Sequence, residues 1–167
     1  MRVAWFLFFR PKQDEEKIPF DQEENTMKEI SAGGVVFTHT GDGLRIQMIQ
    51  DRFGKITLAK GKREAGETIR QTAVREIREE TGIQVRLVEP LQVVTYEYVL
   101  PSKITVNKEV HYFLAEAEKG ILKAQIEEIG SVSWLTPQVA WSKQLEAGYD
   151  NNDAVMRLAL NKLGIEV

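Results

Sequence analysis

The chain contains no cysteine among its 167 residues and only two histidines, His39 and His111. The first absence excludes a disulfide-stapled scaffold, a zinc-thiolate centre and a thiol nucleophile. The second argues against a multi-histidine metal site. A metal would be held mainly by oxygen, which suits Mg2+, Mn2+ or Ca2+. The apolar run Val3 to Phe9 is far shorter than the ~20 residues a bilayer-spanning helix needs, so no membrane association is expected. Basic charge is also lacking. A net charge of −3 and a pI near 5.6 argue against non-specific binding to nucleic acid.

What is present describes an ordinary globular chain, 43% hydrophobic and 28% charged. At about 150 residues per domain, its length predicts one domain. The charge is unevenly spread. Residues 12–29 hold three lysines against seven acids, a local −4 that leaves +1 for the remainder. Residues 1–26 therefore read as an acidic N-terminal leader or extension, and 27–167 as the folded domain. The leader is either a first strand at the domain edge followed by a solvated linker, or an arm ahead of a start at Met27. It carries no small-residue cleavage site before its acidic stretch, so a cytoplasmic location is expected.

From Ser31 the pattern alternates between β-rich runs and turns. Val35–Thr38 reads as a strand directly after Gly33-Gly34. Residues 44–50 alternate with period two after the turn signal Gly41-Asp42-Gly43. Ile56–Leu58 is a short strand, and a glycine-bounded loop runs from Gly61 to Gly66. Glu67–Glu80 is helical and ends at Thr81-Gly82, where glycine suits the left-handed residue past a helix. Gln84–Leu100 is β, interrupted by Pro90; Pro101–Asn107 is a loop; Glu109–Glu116 and Val132–Leu135 are strands. Thr136 and Pro137 open a helix to about Ala147. Asn152–Leu163 is an amphipathic helix with Val155, Leu158, Ala159 and Leu163 on one stripe. The fold class is α+β.

Residues 61–83, GKREAGETIRQTAVREIREETGI, carry the chemistry. Glu76, Glu79 and Glu80 stand at i, i+3 and i+4, so at about 100° per residue they share one arc of roughly 100°. Three carboxylates packed together repel one another, and helix stability does not ask for them. A divalent cation does, because it needs several oxygen ligands. Ala73, Val74 and Ile77 on the neighbouring face can pack on a sheet. A solvated charged helix is the competing reading, given the interspersed Arg70, Arg75 and Arg78. The bracketing glycines favour the metal, since backbone there can approach an ion or a phosphate. Lys60 and Lys62 add positive charge beside the acids. Carboxylates for Mg2+ next to lysines for phosphate suit a polyphosphate ester.

This segment resembles the Nudix hydrolase signature at every position: Gly61, Glu67, Arg75, Glu76, Ile77, Glu79, Glu80, Gly82 and Ile83. Its seven fixed residues match by chance on the order of once in a billion starts. The resemblance runs from about Lys28 to the C-terminus. It implies an α/β/α sandwich with a mixed β-sheet and a loop-helix-loop catalytic motif. It further implies Mg2+ (Mn2+ possible) held by Glu76, Glu79, Glu80 and the Gly61 carbonyl. Glu67, Arg75 and Gly82 would be structural, with Glu67 and Arg75 paired to brace the loop. Many members add a downstream glutamate before a tryptophan-bearing strand. Glu128 is the choice here, as metal ligand or general base, with Glu127 the alternative and an exposed turn the bland reading of both. Glu79, Glu80 and Glu128 are the catalytic candidates.

The implied reaction is hydrolysis of a pyrophosphate linkage in a small-molecule nucleotide, by a monomer or homodimer. LAKG (58–61) and KEVHYFLA (108–115) are similar to runs in diadenosine polyphosphate hydrolases, although Ala59 stands where that group has proline. Lys60, Lys62 and Tyr112 are the candidate substrate contacts. His111 faces away from Tyr112 by strand alternation, so at most one of them reaches the substrate. Tyr96 and Tyr98 offer a stacking surface or, more ordinarily, core. A diadenosine tetra- to hexaphosphate is the expected substrate. The alternatives are an oxidised or non-standard nucleoside triphosphate, an RNA 5′ end, or a ligand sensed without catalysis.

Overall fold

The computed structural model describes residues 25–125 and 129–167. Seven strands form one sheet: β1 (Thr26–Thr40), β2 (Gly43–Asp51), β3 (Ile56–Thr57), β4 (Ala59–Lys62), β5 (Ile83–Val99), β6 (Thr105–Gly120) and β7 (Ile129–Leu135). The main path is β3-β2-β1-β6-β5, with β4 added to β1 and β7 to β2. The sheet is mixed: β1 and β6 run parallel and the other pairs antiparallel. Helix α1 (Ile69–Thr81) lies on one face, and α2 (Pro137–Ala147) and α3 (Asp153–Lys162) on the other. This is the α/β/α sandwich expected from the sequence. Of the expected leader, residues 1–24 lie outside the described residues, as do Glu127 and Glu128.

Strand β1 organises the molecule. One edge pairs with β6 over most of its length, while the other switches from β4 at Ser31–Gly34 to β2 at Phe37–Thr40. Gly33 and Gly34, expected ahead of a strand, are inside this one. They are glycines because neighbouring backbones come too close for a side chain. A Cβ on Gly33 would stand 1.9 Å from the Ala59 carbonyl oxygen, and one on Gly34 2.6 Å from that of Phe113. Beyond them Val35 and Phe37 enter one core with Met156 and Leu160, while Val36 enters the other with Ile49 and Ile77. Helices on both faces explain the unbroken burial from Ser31 to Phe37. Val35 and Val36, fully buried there, each contribute roughly 1.5–3 kcal/mol.

Three expected boundaries shift for local reasons. Helix α1 begins at Ile69 rather than Glu67, because Thr68 caps it: its hydroxyl accepts from Gln71 N at 3.1 Å while the Gln71 side chain accepts from Thr68 N at 2.9 Å. Pro90 does not interrupt β5. It lies in an edge strand beside two register shifts, where a missing N–H is tolerated. The expected loop over 101–107 shortens to a turn, with β6 starting at Thr105. On α3 the buried stripe is Val155, Met156, Ala159 and Leu160; Leu158 and Leu163 are only partly buried. The face that docks is the one turned toward the sheet through Met156, one position away from the stripe read by spacing alone.

Candidate active site

Helix α1 and strand β4 lie side by side, and three consecutive β4 residues are each met by a residue of the helix. The Lys60 backbone N–H donates to Glu80 Oε2 at 3.0 Å. A Cβ on Gly61 would fall 2.0 Å from Glu76 Cδ, so glycine alone lets the carboxylate lie against the strand. Arg75 Nη2 donates to the Lys62 carbonyl at 2.9 Å. The spacing Glu80, Glu76, Arg75 along roughly one and a half helical turns matches three residues of strand.

Arg75 is the hub. Its Nε donates to Glu67 Oε1 at 2.5 Å and its Nη2 to Glu67 Oε2 at 3.1 Å. Its Nη1 reaches Glu76 Oε1 at 2.7 Å and Glu79 Oε2 at 3.1 Å. Glu67 also accepts from Glu64 N at 3.0 Å and Thr72 Oγ1 at 2.9 Å. The Arg75 hydrogen bond first, and then that backbone N–H, hold the Glu67 carboxyl down to about 2. The same pairing raises the Arg75 guanidinium further above its ordinary value. All the capacity of Glu67 goes into bracing the loop. Gly82 closes the helix in the left-handed conformation at φ 78°, its N–H donating to the Arg78 carbonyl.

Among the described residues no three acidic or histidine side chains converge on one point. Arg75 stands between Glu76 and Glu79, and Glu80 turns to the Lys60 N–H. The donor set nevertheless fits a hard divalent cation. It consists of oxygen, it lies along one side of the helix, and the space a Cβ at Gly61 would fill brings backbone against the Glu76 carboxylate. Gly61, Glu76, Glu79 and Glu80 are the residues that would hold the ion. It would supply charge neutralisation at phosphate oxygens and a water of lowered pKa. Residues flanking Glu127 and Glu128 reach the same place. Gln125 N donates to the Glu80 carbonyl at 3.2 Å, and Ile129 lines the adjoining cavity.

That cavity, about 530 Å³, opens on the sheet face away from α1. Val94, Val110 and Tyr112 form its floor, Lys60 and Glu80 one wall, and Asn152 another. Tyr112 is only 2% exposed, and its hydroxyl donates to Asn152 Oδ1 at 3.3 Å. Burial raises its pKa, so it is a neutral wall of the cavity. Burial and then the Lys108 charge lower the Lys60 amine, while Glu80, Glu29 and Glu76 pull it back up. Phe53 and Tyr149 stand at the rim. Asp51 accepts from the Tyr149 hydroxyl at 2.6 Å and pushes that phenol up to about 12. Tyr96 lines the cavity, whereas Tyr98 reaches Glu29 at 3.4 Å.

Lys62 is not at the cavity. Its exposed side chain pairs with Glu29 at 2.6 Å. His111 is on the opposite face, paired with Glu109. Lys108 and Glu29 escaped the sequence reading, though strand alternation from Tyr112 and from Gly33 selects their face. Asn152 gave no signal, because only the fold brings it to Tyr112.

A model of the NUDIX domain matches residues 27–158. The chain belongs to the Nudix family. Over 118 residues it is 36% identical to a candidate mutator protein, MutT4, of Mycobacterium tuberculosis (strain CDC 1551 / Oshkosh), covering 66% of this chain and 47% of that protein. Over 91 residues it is 34% identical to the NAD-capped RNA hydrolase NudC of Photobacterium profundum, covering 54% of this chain and 32% of that one. The Nudix chain thus spans less than half the length of these relatives. A C. elegans Ap4A hydrolase binary complex superposes with a TM-score of 0.64 at 22% identity, over 81% of this chain and 98% of that one. The NUDIX domain of Shewanella oneidensis NrtR, complexed with ADP ribose, gives 0.66 at 18% identity, over 87% and 94%. At these identities the two structures establish the fold. No described helix is long and apolar enough to cross a membrane.

Proposed function

We propose that this Nudix protein hydrolyses a pyrophosphate linkage in a nucleoside polyphosphate, with Mg2+ as cofactor and a dinucleoside polyphosphate such as diadenosine tetra- to hexaphosphate as substrate. The observation that carries this reading is the packing of Glu76 and Glu80 against the Gly61 and Lys60 backbone, with Glu80 and Lys60 also lining a cavity of about 530 Å³. The acids would hold the cation, with Glu79 as a further ligand and Glu128 as the downstream acid. Glu80 and Glu128 would assist the attacking water. The Lys60 ammonium, whose charge burial disfavours, would gain a compensating partner in a phosphate. The aromatic residues at the cavity would take the base, since base–aromatic stacking is worth about 1–3 kcal/mol. The setting we assign is cytoplasmic, and the active species a monomer or homodimer.

A second reading is favoured by the 36% identity to MutT4, whose name describes a mutator protein. In that case the substrate is a non-standard nucleoside triphosphate. An activity panel with Mg2+ and Mn2+ separates the two. Release of a mononucleotide from diadenosine tetra- to hexaphosphate, leaving a nucleoside triphosphate or larger, supports the first. Turnover of oxidised deoxyguanosine triphosphate without turnover of dinucleotides refutes it in favour of the second.

A further inference from the structure

One carboxylate ties together two distant segments at the rim of the cavity. Asp51 is the last residue of β2, where the pairing with β7 shifts register, and a bulge of this kind re-aims a side chain. Its Oδ1 accepts from Phe53 N at 2.8 Å and Lys55 N at 3.0 Å, which closes the turn into β3. That local task needs one oxygen. The other, Oδ2, accepts from the Tyr149 hydroxyl at 2.6 Å, from a residue 98 positions further along the chain. Tyr149 is also held through its backbone, between α2 and α3. Its carbonyl accepts from Asn152 N and from Gln144 Nε2, each at 2.9 Å. The residue is thus pinned at both ends.

Burial does not explain the pinning. Tyr149 is 39% exposed, and ordering an exposed ring costs conformational entropy with little apolar area covered in return. The residue lines the cavity together with Lys60 and Glu80. Lys55, which does not line the cavity, stands over the ring at 5.8 Å from its centroid and leaves the other face for a ligand. We propose that Asp51 is a positioning residue for recognition of the substrate's base: it fixes the Tyr149 ring as a stacking surface at the cavity rim. A ring already ordered in the empty site spares an entering base the entropic cost of ordering it. This inference rests on the hydrolase reading above and deepens it, because it gives the nucleoside-specific part of binding to a residue that touches neither base nor phosphate.

The test is calorimetric titration of the full chain, carrying Glu80→Gln to stop turnover, at fixed excess Mg2+. The ligands are adenosine diphosphate, guanosine diphosphate and inorganic pyrophosphate, which share two linked phosphates and differ in the nucleoside. Tyr149→Phe keeps the ring and removes the hydroxyl, and Asp51→Asn removes the oxygen that receives it. Each weakens the tighter-binding nucleotide at least about threefold and changes pyrophosphate less than about twofold. The double variant is no weaker than either single one, since both break the same bond. Tyr149→Ala removes the ring itself and weakens the nucleotide at least about fivefold. Tyr149→Phe, on a partly exposed residue, carries the test if Asp51→Asn does not fold. Equal weakening of nucleotide and pyrophosphate, weakening of neither, or additive losses in the double variant overturns the inference. Nucleoside-selective loss in a chain that hydrolyses no nucleotide supports it and refutes the hydrolase reading. Nucleotide hydrolysis by the chain with Glu80 intact, without nucleoside-selective loss in the variants, overturns the inference alone.

Discussion

Replacing Gly61 by alanine separates the chemistry of this site from its fold. The added Cβ would stand 2.0 Å from Glu76 Cδ and 2.2 and 2.3 Å from its two carboxylate oxygens. An ordinary carbon contact is about 3.5 Å, so the carboxylate must retreat by roughly 1.5 Å. It can, being the end of a flexible side chain, and β4 need not move. The retreat breaks the 2.7 Å hydrogen bond from Arg75 Nη1, between side chains that are 16% and 14% exposed. Hydrogen bonds to charged groups are worth about 1.5–3 kcal/mol, and Arg75 keeps Glu67 and Glu79, so the loss is about 1–2 kcal/mol. For a domain of this size that lowers Tm by roughly 3–8 °C. Misplacing a reacting group by about 1 Å costs on the order of 10²-fold in rate, and that is the expected fall in kcat. The assays are thermal melting and turnover of the best substrate in the nucleotide panel. In Glu76→Ala the obstacle is gone, so adding Gly61→Ala to it should change neither quantity further. Turnover within about threefold of wild type would remove Glu76 from the reaction. A Tm drop above roughly 15 °C would show that the strand, not the side chain, absorbs the clash.

Gly33→Ala should behave oppositely: its Cβ meets a backbone carbonyl at 1.9 Å that cannot swing aside, so soluble, folded protein is lost rather than activity alone. Glu80→Gln should reduce kcat by about 10³-fold with little change in Tm, the amide keeping the Lys60 N–H hydrogen bond while losing the charge a cation needs. The Glu67 carboxyl sits at about 2, below its ordinary 4.5. Its contribution to stability is therefore complete above pH ~4.5 and lost as pH falls toward ~2. Melting curves across that range should fall more steeply for wild type than for Glu67→Gln, and identical slopes would contradict the role given to the Arg75 pair. Comparing Glu127→Gln with Glu128→Gln should show a large kcat loss in the second and a small one in the first; the reverse reassigns the downstream acid.

Legibility varied with the range of the interaction. Gly82, Thr136 and Pro137 mark helix ends through contacts a few residues apart, so capping chemistry locates the end of α1 and the start of α2 to within a residue or two, whereas the Thr68 cap went unread and the start of α1 was set two residues early. The box glutamates were legible because helical periodicity alone puts 76, 79 and 80 on one side. Gly33 and Gly34 were visible but misplaced, since the backbones that require them come from β4 and β6.

By itself, then, the sequence determined the family box, the helix that bears it, the alternation of the strands and the expectation that any metal would be held mainly by oxygen. These follow from local periodicity and residue chemistry. The tertiary structure alone decided what each charge faces. Lys60 goes to the cavity while Lys62 goes to Glu29, although both project from the same short strand. Tyr112 becomes a wall through Asn152, 40 residues away, and Arg75 collects Glu67, Glu76 and Glu79 at once. Partners of this kind depend on which strands and helices come to lie side by side, and that is settled by burying two hydrophobic faces of one sheet rather than by any residue's neighbours in the chain.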